Sequence, residues 1–132
     1  MPAPSTIAEC MRRNPLTIQV DANLFQAIEM IVEYKLTGLT VTDQHGCAVG
    51  ILSELDCIKS VLTALYNDGD PEFTLVSEAM STDLTTCSPT DGIIEVAQSM
   101  LDTHQRRRPV LEDGKLVGQV SSSNVLWALM EH

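Results

Sequence analysis

Two short stretches hold the side chains best placed to do chemistry. Gly50-Ile51-Leu52-Ser53-Glu54-Leu55-Asp56 reads as a strand running into a helix. Ser53 suits the N-cap, because its hydroxyl can accept from a first-turn amide that lacks a helical partner. Asp56 falls three residues on, where the positive end of the helix dipole favours a carboxylate. Gly118-Gln119-Val120-Ser121-Ser122-Ser123-Asn124 repeats this order, with Ser121 as the cap and Asn124 in the place of the acid. Arg106, Arg107 and Arg108 are consecutive and lead into the apolar strand Pro109-Val110-Leu111, while Arg12 and Arg13 form a second pair. The fork-shaped donors of Arg106, Arg107 and Arg108 suit phosphate oxygens, while Arg12 and Arg13 also read as solvated surface charge.

Other chemistries find less support. Cys10, Cys47, Cys57 and Cys87 make no C-x-x-C pair and read as reduced, partly buried residues. His45 and Cys47 flank a glycine but lack the further ligands at close spacing that zinc wants. No Cys-His nucleophile pair stands out, so the chain reads as a non-enzyme. Its 18 acidic against 8 basic side chains give a net charge of −10, which opposes non-specific binding to nucleic acid or anionic lipid. No apolar run approaches the roughly 20 residues of a membrane span, and Met1 to Ser5 does not resemble a signal peptide. The expected location is cytoplasmic.

The elements that must position these residues follow from periodicity. Leu16 to Val20 predicts a short strand, and Asp21 is the expected cap of a helix carrying Leu24, Ala27, Ile28, Ile31 and Val32 on one face. Gly38 is expected to end that helix. Strands at Leu39-Thr40-Val41 and Ala48 to Leu52 flank a turn at Gln44-His45-Gly46, and the helix from Ser53 is expected to bury Leu55, Ile58, Val61, Leu62 and Leu65. After turn-forming Asn67 to Glu72 the order starts again, displaced by 69 residues. Val76 to Met80 answers Ile7 to Met11, and Thr85-Thr86-Cys87 answers Leu16-Thr17-Ile18. Ile93, Val96, Ala97, Met100 and Leu101 repeat the five-point helical face. Asp113-Gly114 is a tight hairpin signal, one residue shorter than its counterpart, so the offset becomes 68.

The fold class is thus α/β (α+β): two pseudo-symmetric repeats, each a small sheet with packed helices. One repeat has little core of its own, and pairing supplies it. The expected divisions are residues 1–66, a linker at 67–74, and residues 75–132. Val125 to Met130 is apolar on every face, and a helix covering only its own core should have a polar side. A homodimer is therefore expected.

The chain resembles a tandem pair of cystathionine-β-synthase (CBS) domains, or Bateman module, over nearly all of Ile7 to Met130. The resemblance rests on Met11 and Met80, on Leu39-Thr40-Val41 and Arg108-Pro109-Val110, on the turns at Gly46 and Gly114, and on the G-x-x-S-x-x-[DN] ends at Gly50–Asp56 and Gly118–Asn124. It implies a regulatory module that binds adenine nucleotides or adenosyl compounds (AMP, ADP, ATP or S-adenosylmethionine) in clefts between the repeats. Asp56 corresponds to the family's ribose-binding acid, and Asn124 holds the weaker second position. Ser53 and Ser121 stand at the matching helix starts, where a phosphate is favoured. The resemblance places Arg106, Arg107 and Arg108 near phosphates, and Thr17 and Thr86 where the adenine edge is read. Thr37-Gly38-Leu39-Thr40 lacks the usual basic residue before its strand, which argues against a second polyphosphate site. The alternative is a protein-interaction or dimerisation module with degenerate clefts. In either case the regulated target is a separate protein.

Overall fold

Pro4–Glu131 are described by the computed structural model, and they sort into two compact units. The central unit is Leu16–Leu84. The terminal unit joins the chain's opening residues, through Pro15, to the segment that begins at Thr85.

In the central unit β2 (Thr17–Gln19) runs parallel to β3 (Gly38–Thr42), which is antiparallel to β4 (Ala48–Ser53). Helix α1 (Leu24–Glu33) makes the β2–β3 crossover. Leu24, Ala27 and Ile31 bury its apolar stripe against Leu39, Val41 and Leu52. Its cap is Asn23, whose Oδ1 accepts from the Phe25 amide at 2.7 Å, and not the expected Asp21. The helix ends earlier than expected, with Lys35 in the left-handed conformation. Gly38 instead opens β3, where a Cβ would lie 2.8 Å from the Leu52 carbonyl oxygen.

Helix α2 (Glu54–Tyr66) departs most from expectation. Only Cys57 is fully buried, Val61 is half-buried, and Leu55, Ile58, Leu62 and Leu65 are exposed, Leu55 by 76%. A narrow stripe holds α2 to its unit, and the leucine-rich remainder faces outward. Together with α1 it borders an apolar groove of about 290 Å³ lined by Ile28, Ile31, Cys57, Ile58, Val61 and Leu62. A 3₁₀ turn (Pro71–Phe73) and the short helix α3 (Val76–Ala79) complete the unit, and Ser81 bridges Ile51 at the free edge of β4.

The terminal unit repeats this plan. β1 (Arg12–Arg13) pairs with β6 (Lys115–Ser121), which pairs with β5 (Arg107–Glu112). Helices α4 (Ile93–Thr103) and α5 (Ser122–Met130) cover a core of Ile7, Ile93, Val96, Met100, Val110, Val120, Val125 and Ala128. Asp113 and Gly114, at φ 54° and 79°, form the expected tight turn. Leu101, expected inside, is exposed.

The strand expected at Thr85–Cys87 contracts to one parallel bridge, Cys87 to Val110. The physical reason lies at Pro89. Its counterpart Val20 donates its amide to the Thr42 carbonyl at 2.9 Å, and proline has no amide to donate.

Each repeat's leading turn therefore packs in the unit built around the other repeat's sheet. Met80 lies over Gly50 in the central unit and Met11 over Gly118 in the terminal one. A Cβ on either glycine would meet the methionine sulfur at 2.6 or 2.7 Å.

Candidate ligand site

Ser53 ends β4 and opens α2. Its Oγ accepts from the Asp56 amide at 3.1 Å, and Asp56 Oδ2 accepts from the Ser53 amide at 2.9 Å. This reciprocal capping satisfies two amides that helix geometry leaves without partners. Ser121 and Asn124 do the same at the start of α5, with Asn124 Oδ1 2.9 Å from the Ser121 amide. An uncharged amide thus caps as closely as the carboxylate does. The cap at α2 does not need the charge of Asp56, which leaves it free for another partner.

Asp56 borders a cavity of about 580 Å³ in the central unit, within the roughly 300–1,000 Å³ of small-molecule sites. One wall is α2, through Asp56, Lys59, Ser60 and Thr63. The opposite wall is the leading turn, through Glu78 and Ser81. Those opposite-wall residues escaped sequence reasoning. The repeat marks Val76 to Met80 as a leading turn, but its short apolar pattern says nothing about which sheet it joins.

The other sequence-predicted residues divide between the units. Thr17, half-buried, pairs with Thr40 in β2 and belongs with Ser53 and Asp56 to the central unit. Thr86, Arg106, Arg107, Arg108, Ser121 and Asn124 belong to the terminal unit. Arg106 is exposed and Arg107 half-buried. Arg108 turns inward: its Nη2 donates to Thr103 Oγ1 at 3.3 Å and to Gln105 Oε1 at 3.0 Å.

The two buried thiols are poor nucleophiles. Burial pushes Cys57 up, with Asp56 and Glu54 adding to the effect, and burial pushes Cys87 up to about 11. Both stay protonated near neutral pH, and it is the thiolate that reacts. His45 and Cys47 lie in the β3–β4 turn, where both amides donate to Asp43. Among the described residues no three His, Cys, Asp or Glu side chains are grouped to hold a metal ion. None of the described helices is long and apolar enough to cross a membrane.

Comparison with known proteins agrees with this architecture. CBSX2, a chloroplastic CBS domain-containing protein of Arabidopsis thaliana, is 29% identical over 91% of this chain and 60% of its own length. The first three curated relatives are matched over 41%, 60% and 55% of their lengths, so this chain spans about half of each. The crystal structure of CBSX2 in complex with AMP superposes with a TM-score of 0.83 at 27% identity, covering 96% of this chain and 97% of that one. The CBS domain pair of MJ0100, solved with 5'-methylthioadenosine and S-adenosyl-L-methionine, shares the fold at a TM-score of 0.77 and 22% identity, covering 98% of both chains. The family model of the CBS domain matches twice, at residues 7–63 and 76–131, and the chain therefore belongs to the CBS domain family as a tandem pair.

Proposed function

We propose that this CBS pair is a regulatory module that senses an adenosine-bearing small molecule through Asp56 and passes the signal to a separate protein, without catalysing a reaction itself. One observation carries the reading. A carboxylate whose charge its helix cap does not require borders a polar cavity of ligand size. Ribose presents two adjacent hydroxyls, and an ionised carboxylate is an acceptor able to take both. The AMP complex of CBSX2 supports the ligand class. In this reading Ser53 holds the carboxylate in place, and Thr17 and Thr86 read a base, each in its own unit. In the terminal unit, Arg106 and Arg107 are the guanidinium forks available to a phosphate. Ser121 and Asn124 form the weaker counterpart, because bonds to charged groups contribute about 1.5–3 kcal/mol against roughly 0.5–1.5 for neutral ones.

A second reading, an interaction module that dimerises with empty sites, is favoured by the outward faces of α2 and α5. On α5, Leu126, Trp127, Leu129 and Met130 are all exposed. The two readings share a homodimer and differ in ligand. Calorimetry with AMP, ATP and S-adenosylmethionine, with light scattering on the same samples, separates them. The sensing reading expects a dimer mass and heat that Asp56→Ala abolishes and Asn124→Ala largely spares. A dimer that Trp127→Glu dissociates, silent with every adenosyl compound, would select the second reading.

A further inference from the structure

We infer that the Asp56 cavity selects a nucleoside that carries no net negative charge, and that it discriminates against phosphorylated forms. The inference rests on the ribose-reading role proposed for Asp56 and adds the class of ligand.

The charged side chains bordering the cavity are Asp56, Glu78 and Lys59, two negative and one positive. Among the described residues no arginine borders it. Both carboxylates are held in place by helix starts: Asp56 Oδ2 accepts from the Ser53 amide, and Glu78 Oε1 accepts from the Leu75 amide at 3.1 Å. Among the described residues the second oxygen of Asp56 has no hydrogen-bond partner, so it can meet a vicinal diol. The remaining polar wall, from Ser60, Thr63, Asn67, Thr74 and Ser81, is neutral. A phosphate brought here finds a single ammonium set against two carboxylates, within a molecule of net charge −10.

The chain itself supplies the contrast. Ser81 bridges Ile51 at the edge of the central sheet. The matching position of the terminal sheet is Arg12, paired with Gln119. Asp56 is matched by Asn124. Across these two positions the central unit carries −1 and the terminal unit +1. An arginine at that edge and an amide at that helix start are what tolerance of an anionic ligand would need, and the Asp56 site has neither.

The test is calorimetry on the full chain at low and moderate salt, with adenosine, S-adenosylmethionine, AMP and ATP. The quantity compared is the part of the heat lost in Asp56→Asn. That variant keeps the cap, as Asn124 shows, and an unchanged melting temperature checks its fold. Adenosine is expected to bind at least tenfold tighter than ATP and to be nearly independent of salt. Any ATP binding at this site should strengthen as salt screens the repulsion. Ser81→Arg should close or reverse the gap between adenosine and AMP, and Glu78→Gln, which keeps its acceptor on Leu75, should narrow it. If AMP or ATP wins through Asp56 in the wild type, charge selection is overturned while adenosine sensing stands. If no ligand gives Asp56-dependent heat, both fall.

Discussion

Leu39 and Arg108 hold the same place in their respective units, each 3% exposed and each near the start of the first strand of its hairpin, β3 or β5. One is an ordinary aliphatic core residue. The other is a guanidinium at the end of α4, held by Thr103 and Gln105, with its Nε unpartnered. The positions matching Thr103 and Gln105 are Tyr34 and Leu36. The terminal unit has thus put a polar trio where the central unit has an exposed tyrosine and two leucines. No carboxylate joins the trio among the described residues, although the negative end of the α4 dipole favours a cation there. The contrast teaches that a repeat preserves backbone geometry more strictly than side-chain chemistry. Strand register, left-handed residues at Lys35 and His104, and serine caps recur. The charges at core and rim do not.

A reciprocal swap tests this comparison with the largest expected effect. Leu39→Arg should cost about 3–5 kcal/mol, because it buries a charge with no polar side chain prepared to receive it. Arg108→Leu should be neutral or stabilising, since buried ionic groups are often matched by apolar replacements of similar volume. Denaturant titration of both variants decides, and equal losses would break the comparison.

The glycines under the methionines should sharpen it from the other side. Gly50→Ala forces a Cβ within 2.8 Å of the Ser81 carbonyl oxygen, and Gly118→Ala within 2.9 Å of that of Arg12. Each should cost about 1–3 kcal/mol as an overpacked contact, and the two losses should agree closely.

The hairpin turns carry the smallest difference. Asp43 accepts from the Cys47 and His45 amides, and these bonds, the Cys47 one foremost, hold its carboxyl below the usual carboxylate range. A depressed folded value means stability that is present above the unfolded pKa of about 3.9 and is lost as pH falls through the folded one. Asp43→Asn should therefore lie slightly below wild type at neutral pH, with the gap closing at the acid end. Gly114→Ala, by contrast, should cost about 1 kcal/mol at every pH, because it strains a left-handed position. Thermal melts from pH 2 to 7 compare the two.

Much of this architecture was legible from residue types. Asp113-Gly114 announced its turn because few other residues take two successive positive φ angles. Ser53 and Ser121 announced their caps, since a hydroxyl three residues before a polar side chain has one strong use at a helix start. Asp21 misled because Asn23, two residues on, offers the same chemistry with Gln26 placed to reciprocate. The leucines of α2 misled more deeply. Apolar periodicity marks a face that avoids water, but not whether its own unit or another surface covers it. For the candidate site, Asp56 was legible and the opposite wall was not. Glu78 and Ser81 reach it through a packing choice that no local pattern encodes.

That packing choice also has a consequence in time. The central unit is complete once Leu84 has left the ribosome, because it is one continuous stretch of chain. Ile7, fully buried at the end, must wait for partners that begin only at Thr85. At about 5–20 residues per second the wait lasts several seconds. During it Ile7 stays without the core that later covers it. For this segment the order of assembly is therefore the reverse of the order of synthesis.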